Sequence, residues 1–374
     1  MVWAFASMVA LAAAACGGTY GAPAHPRTAA DGGPAGVPGS GPGSGIEAAA
    51  LPYQIVDART NKSVDEAAFW TRLAAARAVC IGEEHSNPHH HWVQLHVVRE
   101  LAQRLPKGTK LALAMEMFQR PFQGALDEYA AKKIDATQLR SRTGYADRWG
   151  YDYGFYGPTI DAAVAAGAQL LAANAVRELT KKVVHHGLGS LTPDERAQLP
   201  ELVLDDASHR AWFDALMEDM GGSAAHGHAA EPAEAKAPSP PAPSSSPSPS
   251  SSPSPSPSVP AHADDGDAEM PSADRVYTVQ VIWDETMADT AARWLAANPG
   301  GHLILLAGNG HCHDSAIIRR MKRRGVADAI SIRSVIDDGE GSVAEVLAKP
   351  INDYAVILQL PPGSKPDDQG SDDK

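Results

Sequence analysis

The sequence predicts an α/β fold: a mainly parallel central sheet covered by helices on both faces, with a helical arm and a disordered Pro/Ser-rich insert. Three observations carry this. Short apolar runs alternate with helix-patterned stretches, the rhythm of successive βαβ units. The strand runs are nearly unbroken in apolar residues, as in Leu303-Ile304-Leu305-Leu306-Ala307, which suits strands covered on both sides. Two of the runs also end alike, in Gly82-Glu83-Glu84-His85 and Gly308-Asn309-Gly310-His311. Ligands of open α/β sheets bind beyond the carboxyl ends of the strands. Two such endings can point two histidines into one crevice.

The elements follow in order. Residues 65–76 read as a helix, with Ser63 or Asp65 available as its cap. Residues 78–82 form a buried strand. Residues 88–105 form a helix with Pro88 in its first turn, where a missing N–H costs nothing. Residues 110–117 are a second strand, and 121–140 are helical. Residues 143–158 make an aromatic, glycine-rich loop. A helix over 159–166, a strand over 168–173 and a helix over 175–185 come next. Thr192-Pro193-Asp194-Glu195 has capping-box spacing and opens a helical arm reaching residue 220. Beyond the insert, 275–298 is a long helix, and 302–307, 329–334 and 354–360 are strands.

Of the 374 residues, many cannot enter a core. Residues 17–50 are rich in Gly, Ala and Pro, and 221–271 carry a Pro-Ser alternation; neither buries enough apolar area to offset chain entropy. The expected organisation is a signal peptide at 1–16, a flexible tether at 17–50, one α/β domain from 51–220 and 272–362, an insert at 221–271 and a tail at 363–374. Ala13-Ala14-Ala15-Cys16 resembles a bacterial lipoprotein cleavage site, so Cys16 is the expected lipidated residue, although no Lys or Arg precedes the apolar run. A net charge of −13 argues against nucleic acid as a partner. The basic run Arg319-Arg320-Met321-Lys322-Arg323-Arg324 is expected to be a solvated helix face. Cys80 and Cys312 are expected to be buried free thiols, with Cys312 retaining a role as a ligand as the alternative.

Chemistry concentrates at the strand ends. Glu83, Glu84 and His85 leave the first strand, Glu116 the second, Asn174 and Arg177 follow the third, and Asn309 and His311 follow the fourth. Titratable groups gathered in one crevice mark a site. His85, His311 and Glu116 are able to hold a divalent transition metal and lower the pKa of its water. Without metal, Glu84 or His85 serves as a general base. Arg177, Asn174 and Asn309 suit substrate binding, Arg177 for an anionic group. In His89-His90-His91, only His89 is expected to reach the crevice, with His90, His91 and His96 facing solvent. The aromatic cluster of residues 145–156 either packs on itself or offers a flat apolar face for a ligand such as haem, with Tyr145, Tyr151 or Tyr153 as axial ligand.

With these motifs, the chain resembles the ChaN-like haem-binding uptake proteins, within the wider superfamily of Tiki, TraB and erythromycin esterase (EreA) proteins. The resemblance covers residues 53–220 and 272–360. It rests on Ile81-Gly82-Glu83-Glu84-His85, Met115-Glu116-Met117-Phe118, Tyr156-Gly157-Pro158, Asn174-Ala175-Val176-Arg177, Thr192-Pro193-Asp194-Glu195, Trp283-Asp284 and Ala307-Gly308-Asn309-Gly310-His311. It implies a lipoprotein of the bacterial cell envelope, anchored at the outer membrane, that binds haem for iron uptake, with pairing of two protomers. The wider superfamily implies a metal-dependent hydrolase of peptide or ester bonds, using Glu83, Glu84, His85, Glu116 and His311. Both readings stand at this stage.

Overall fold

A computed structural model describes residues 45–226 and 271–361. The lipidation candidate Cys16, the leader, most of the tether, most of the insert and the whole tail lie outside them. Eight strands form one sheet: β1 (Tyr53–Asp57), β2 (Lys62–Ser63), β3 (Ala78–Glu83), β4 (Leu111–Gln119), β5 (Gln169–Asn174), β6 (His302–Gly308), β7 (Ala329–Asp337) and β8 (Tyr354–Gln359). Their order is β2-β1-β8-β7-β3-β6-β4-β5. Pairing is parallel from β8 to β5, and β1 and β2 close one edge antiparallel.

Side chains alternate along each strand with a period of two, and the two cores follow from that. Val79, Ile81, Ile304 and Leu306 face helices α1 (Glu66–Ala75) and α2 (Pro88–Arg104). Cys80, Leu303 and Leu305 face the other way. Asp65 caps α1 through the Ala68 N–H and Pro88 opens α2, both as the sequence suggests; Asn87 caps α2 through the His89 and His90 N–H groups.

Several segments differ from expectation. Residues 121–140 are not one helix. A 3-10 turn leads into α3 (Gln123–Ala130), and Asp135 restarts α4 (Ala136–Thr143) with a capping box. Lys132, at a positive φ of 58°, marks the break. The aromatic passage is helical rather than a loop. It holds α5 (Tyr145–Arg148) and the start of α6 (Tyr153–Ala165), which Asp152 caps through the Gly154 N–H. After α7 (Arg177–His186), the arm is two pieces, α8 (Pro193–Ala197) and α9 (Ala207–His226), joined by the non-helical residues 198–206, which include Pro200. The long helix α10 (Ala273–Ala297) covers the second face. The helix expected at the basic run is α11 (Arg319–Arg323), preceded by a wide turn at Asp314–Ile318, whereas α12 (Ser342–Ala348), β1 and β2 carry too few apolar residues to stand out in sequence. Ile46 and Ala49 are buried, so the folded part begins before residue 51.

Three expectations about side chains are overturned. Cys80 and Cys312 form a disulfide, with Cα atoms 5.4 Å apart, and neither is a free thiol or a ligand. The strand and the turn after β6 are neighbours, which sequence distance concealed. Arg320 is buried rather than solvated, and Arg323 and Arg324 pair with Glu285 of α10 at 2.7 and 2.6 Å. His90 and His91 are buried, because α2 lies between the sheet and α6 and has little solvent face. Among the described residues, no helix is long and apolar enough to cross a membrane.

Candidate functional site

β3 and β6 are adjacent and parallel, Gly82 beside Ala307 and Glu83 beside Gly308. The chain leaves β3 for α2 on one face. It leaves β6 for the turn and α11, whose Ile317, Ile318 and Met321 pack on the other. Adjacent strands whose connections part in this way open the crevice where α/β folds place their sites. Both Gly-x-x-His motifs emerge there.

A Cβ is crowded at both strand ends. A Cβ at Gly82 would run into the Asn309 side chain, and one at Gly308 would stand 3.0 Å from His85 Cε1 and 3.1 Å from Nε2. The His85 ring thus lies over the Gly308 backbone. Its Nδ1 is 2.8 Å from Glu83 Oε1. Tyr156 OH donates to the same oxygen at 2.7 Å, and His91 Nδ1 is 3.0 Å from Oε2. His91 Nε2 also lies 3.0 Å from the His85 carbonyl. Two acceptors on one ring favour its charged form, and the Glu83 charge raises the His91 pKa although burial opposes this. Burial would raise the Glu83 carboxyl, but His91 and His85 hold it far below its usual range.

The second motif is built alike from the opposite face. His311 Nδ1 is 2.6 Å from Asp284 Oδ1, and its Nε2 is 3.2 Å from Glu116 Oε1. The Gly308 N–H donates to Glu116 Oε2 at 2.8 Å. Burial alone would push His311 down; Glu116 and Asp284 overcome it and push it up to about 10. Burial would raise Glu116, yet His311 and His85 together lower it. Glu116 is therefore where the two histidines meet. A register shift in the β4–β5 pairing between Met115 and Gln119 accompanies it; such irregularities are common beside sites.

The other expected residues divide. Beside Glu116, a cleft of about 270 Å³ is lined by Trp149, Tyr151, Trp283, Arg148, Arg177 and Asn174, among others. The His85 ring packs on Trp149 and Tyr151, each centroid 4.8 Å away. Arg177 Nη1 donates to the Asp147 carbonyl, and Asn174 Oδ1 accepts from the Ala175 N–H. Of the three tyrosines, Tyr151 lines this cleft. Tyr145 is buried in the core against Tyr153 and Phe118 rather than in the cleft lining. Glu84 does not join the site: its N–H donates to His90 Nδ1, and its charge acts on Arg333 of β7, away from Glu116. Asn309 N–H donates to the Glu83 carbonyl, which fixes the turn. His89 reaches the Ala49 carbonyl and not the crevice. Asp284, His91 and Tyr156 were not singled out for chemistry in the sequence: Asp284 and Tyr156 come from helices distant in sequence from either motif, and His91, six residues after His85, was expected to face solvent.

Among the described residues, no group of three or more His, Cys, Asp or Glu is arranged to hold a metal ion. His311 Nε2 and Glu116 Oε1 face each other as donor and acceptor, and an ion between them would have to part them. The donors as arranged do not fit a metal.

A family model described as haem-binding uptake, Tiki superfamily, ChaN matches residues 69–321. A solved structure described as cofacial heme binding to ChaN of Campylobacter jejuni superposes with a TM-score of 0.54 at 16% identity, covering 82% of this chain and 96% of that one. A mutant of the erythromycin esterase EreC, in its open conformation, reaches a TM-score of 0.37 at 12% identity over 82% of this chain and 83% of that one, too low to argue from. The protein Reticulata-related 5, chloroplastic, of Arabidopsis thaliana is 28% identical over 136 residues, 35% of this chain and 18% of that protein, so the chain matches about a fifth of that relative's length. The family match spans most of the folded part and agrees with the fold and with the strand-end motifs: the chain belongs to the ChaN family of haem-binding uptake proteins in the Tiki superfamily.

Proposed function

We propose that this protein binds haem in the cleft beside Glu116, as a lipid-anchored protein of the bacterial cell envelope serving iron uptake. The cleft's composition carries the reading: the flat apolar rings of Trp149, Tyr151 and Trp283 beside the cations Arg148 and Arg177. A macrocycle with a planar apolar face and carboxylate edges matches that pairing. Tyr151 is the axial-ligand candidate, because a phenolate ligates haem iron and this tyrosine lines the cleft. A volume of about 270 Å³ lies at the low end for small-molecule sites. It suits cover of one haem face, leaving the other for a second protomer, and a homodimer follows. The buried Cys80–Cys312 disulfide supports an oxidising compartment, and Cys16 would carry the lipid.

Titration of the protein with haem tests this. A saturable Soret shift at micromolar haem, altered by Tyr151→Phe and not by Tyr145→Phe, is the expected result. Absence of any shift in the wild type would refute haem binding. Sedimentation with and without haem tests the pairing.

A second reading rests on a separate observation: two His–carboxylate pairs converge on Glu116. His311, held protonated, would donate a proton to a leaving group, and His85 would accept one from water. A hydrolase of ester or peptide bonds would use them so. Hydrolysis of model esters or peptides that disappears in Glu116→Gln while haem spectra stay unchanged would favour it.

A further inference from the structure

One arrangement recurs behind both site histidines. His85 hangs on Glu83, and Glu83 is held by His91. His311 hangs on Asp284, and His209 of the arm stands behind Asp284. We infer that His209 is a positioning residue, which orients His311 through Asp284 from outside the cleft. The inference rests on the reading of His311 as part of the ligand or reaction site.

The geometry assigns the protons. Asp284 is fully buried; its Oδ1 lies 2.6 Å from His311 Nδ1, and its Oδ2 lies 3.1 Å from His209 Nε2, an electrostatic contact outside hydrogen-bond geometry in which neither atom has another hydrogen-bond partner. On the far side of the His209 ring, Arg320 Nη2 is 3.2 Å from Nδ1. A guanidinium only donates, so Nδ1 must accept. The ring proton of His209 therefore sits on Nε2, facing Asp284. Tyr277 OH also lies 3.3 Å from Nδ1.

The ring is clamped as well as oriented. It stacks against Trp212 with centroids 5.5 Å apart and against His313 at 6.1 Å. Arg320 donates to the Ser315 carbonyl at 2.8 Å and lies 3.4 Å from Glu285 Oε1. With the His209 ring facing Oδ2, Asp284 keeps Oδ1 on His311, and His311 keeps Nε2 on Glu116. The arm thereby reaches the site through one carboxylate. A role in packing alone would be met by any side chain of similar volume. This role needs a donor toward Asp284 and an acceptor toward Arg320. Glutamine supplies both; leucine supplies neither.

The test uses the full chain labelled with 15N-histidine, without ligand, and then a haem titration. In the wild type, His209 should show the Nε2–H tautomer, and His311 a low-field Nδ1–H resonance, each assigned by its loss in His209→Gln or His311→Gln. In His209→Leu, the His311 resonance should move or broaden and haem affinity should fall about tenfold. In His209→Gln, both should stay within about twofold of wild type. An unchanged His311 resonance in His209→Leu, or a Gln variant no better than Leu, would overturn the inference. Should the Leu variant fail to fold, the wild-type spectrum decides, since an Nδ1–H tautomer at His209 contradicts the relay. If the wild type binds no haem, the haem reading fails, and the imidazole resonances still judge the relay.

Discussion

At the scale of single residues, the site is a set of buried charges whose signs fix how stability responds to pH. His311 and His91 have folded pKa values raised above the ordinary value near 6.5. Their contribution is complete below about pH 6.5 and is lost as pH rises toward 10, the folded value of His311. His90 and His313 behave oppositely: burial lowers them to about 4 and about 3, so their contribution is present above about pH 6.5 and is lost as pH falls. Glu83 and Asp284 are depressed and withdraw support only in stronger acid. The urea midpoint should therefore be highest near pH 6.5 and lower at both pH 5 and pH 9; a midpoint that climbs from pH 6.5 to 9 contradicts the assignment of His311. Gly308 gives a second test. Ala at this position must displace the His85 ring, 3.0 Å from the new Cβ. The variant should melt close to wild type yet lose about tenfold or more in haem affinity, a change of roughly 1.4 kcal/mol. The sequence showed His85 and His311 because each follows a strand end in a repeated pattern, and Glu116 because a carboxylate stands out in the apolar run of β4 (Leu111–Gln119). It did not show the roles of Asp284, His209 or Tyr156, because a partner set by helix packing leaves no local pattern.

At the scale of elements, legibility followed the hydrophobic period. β3 and β6 were readable as buried strands, and their unbroken apolar runs foretold helices on both faces. The 145–156 passage was misread because Gly144, Gly150 and Pro158 signal turns, whereas Asp152 starts a helix that tolerates Pro158. The disulfide was missed because spacing says nothing about two cysteines separated by 232 residues. It ties β3 to the turn carrying His311, so it links the two motifs covalently. Removing a crosslink typically costs about 2–4 kcal/mol, and for a loop this long the chain-entropy account gives about 5.5 kcal/mol as its upper figure. Cys80→Ser with Cys312→Ser should lower the urea midpoint by a corresponding amount. Adding a reductant to the double variant should then change nothing further, whereas the wild type should respond. Equal midpoints for wild type and double variant would show that the bond carries no stability.

At the scale of the whole molecule, one sheet joins the two halves of the chain. β3, β4 and β5 precede the insert, yet β6, which follows it, lies between β3 and β4. The site is divided the same way: His85 and Glu116 come from before the insert, Asp284 and His311 from after it. Neither half can complete the sheet or the site, so the domain must close across the Pro-Ser tract. The closing cost grows only as the logarithm of loop length, about 0.6 kcal/mol per doubling. Shortening the connection between residues 226 and 271 to roughly a quarter is two halvings, a gain of about 1.2 kcal/mol at most. The shortened chain should therefore keep its haem spectrum and unfold at the same urea concentration or slightly above. Separately expressed halves should not bind haem until mixed. A shortened chain that cannot fold would mean that the tract does more than connect, and that the single-domain account of this molecule is wrong.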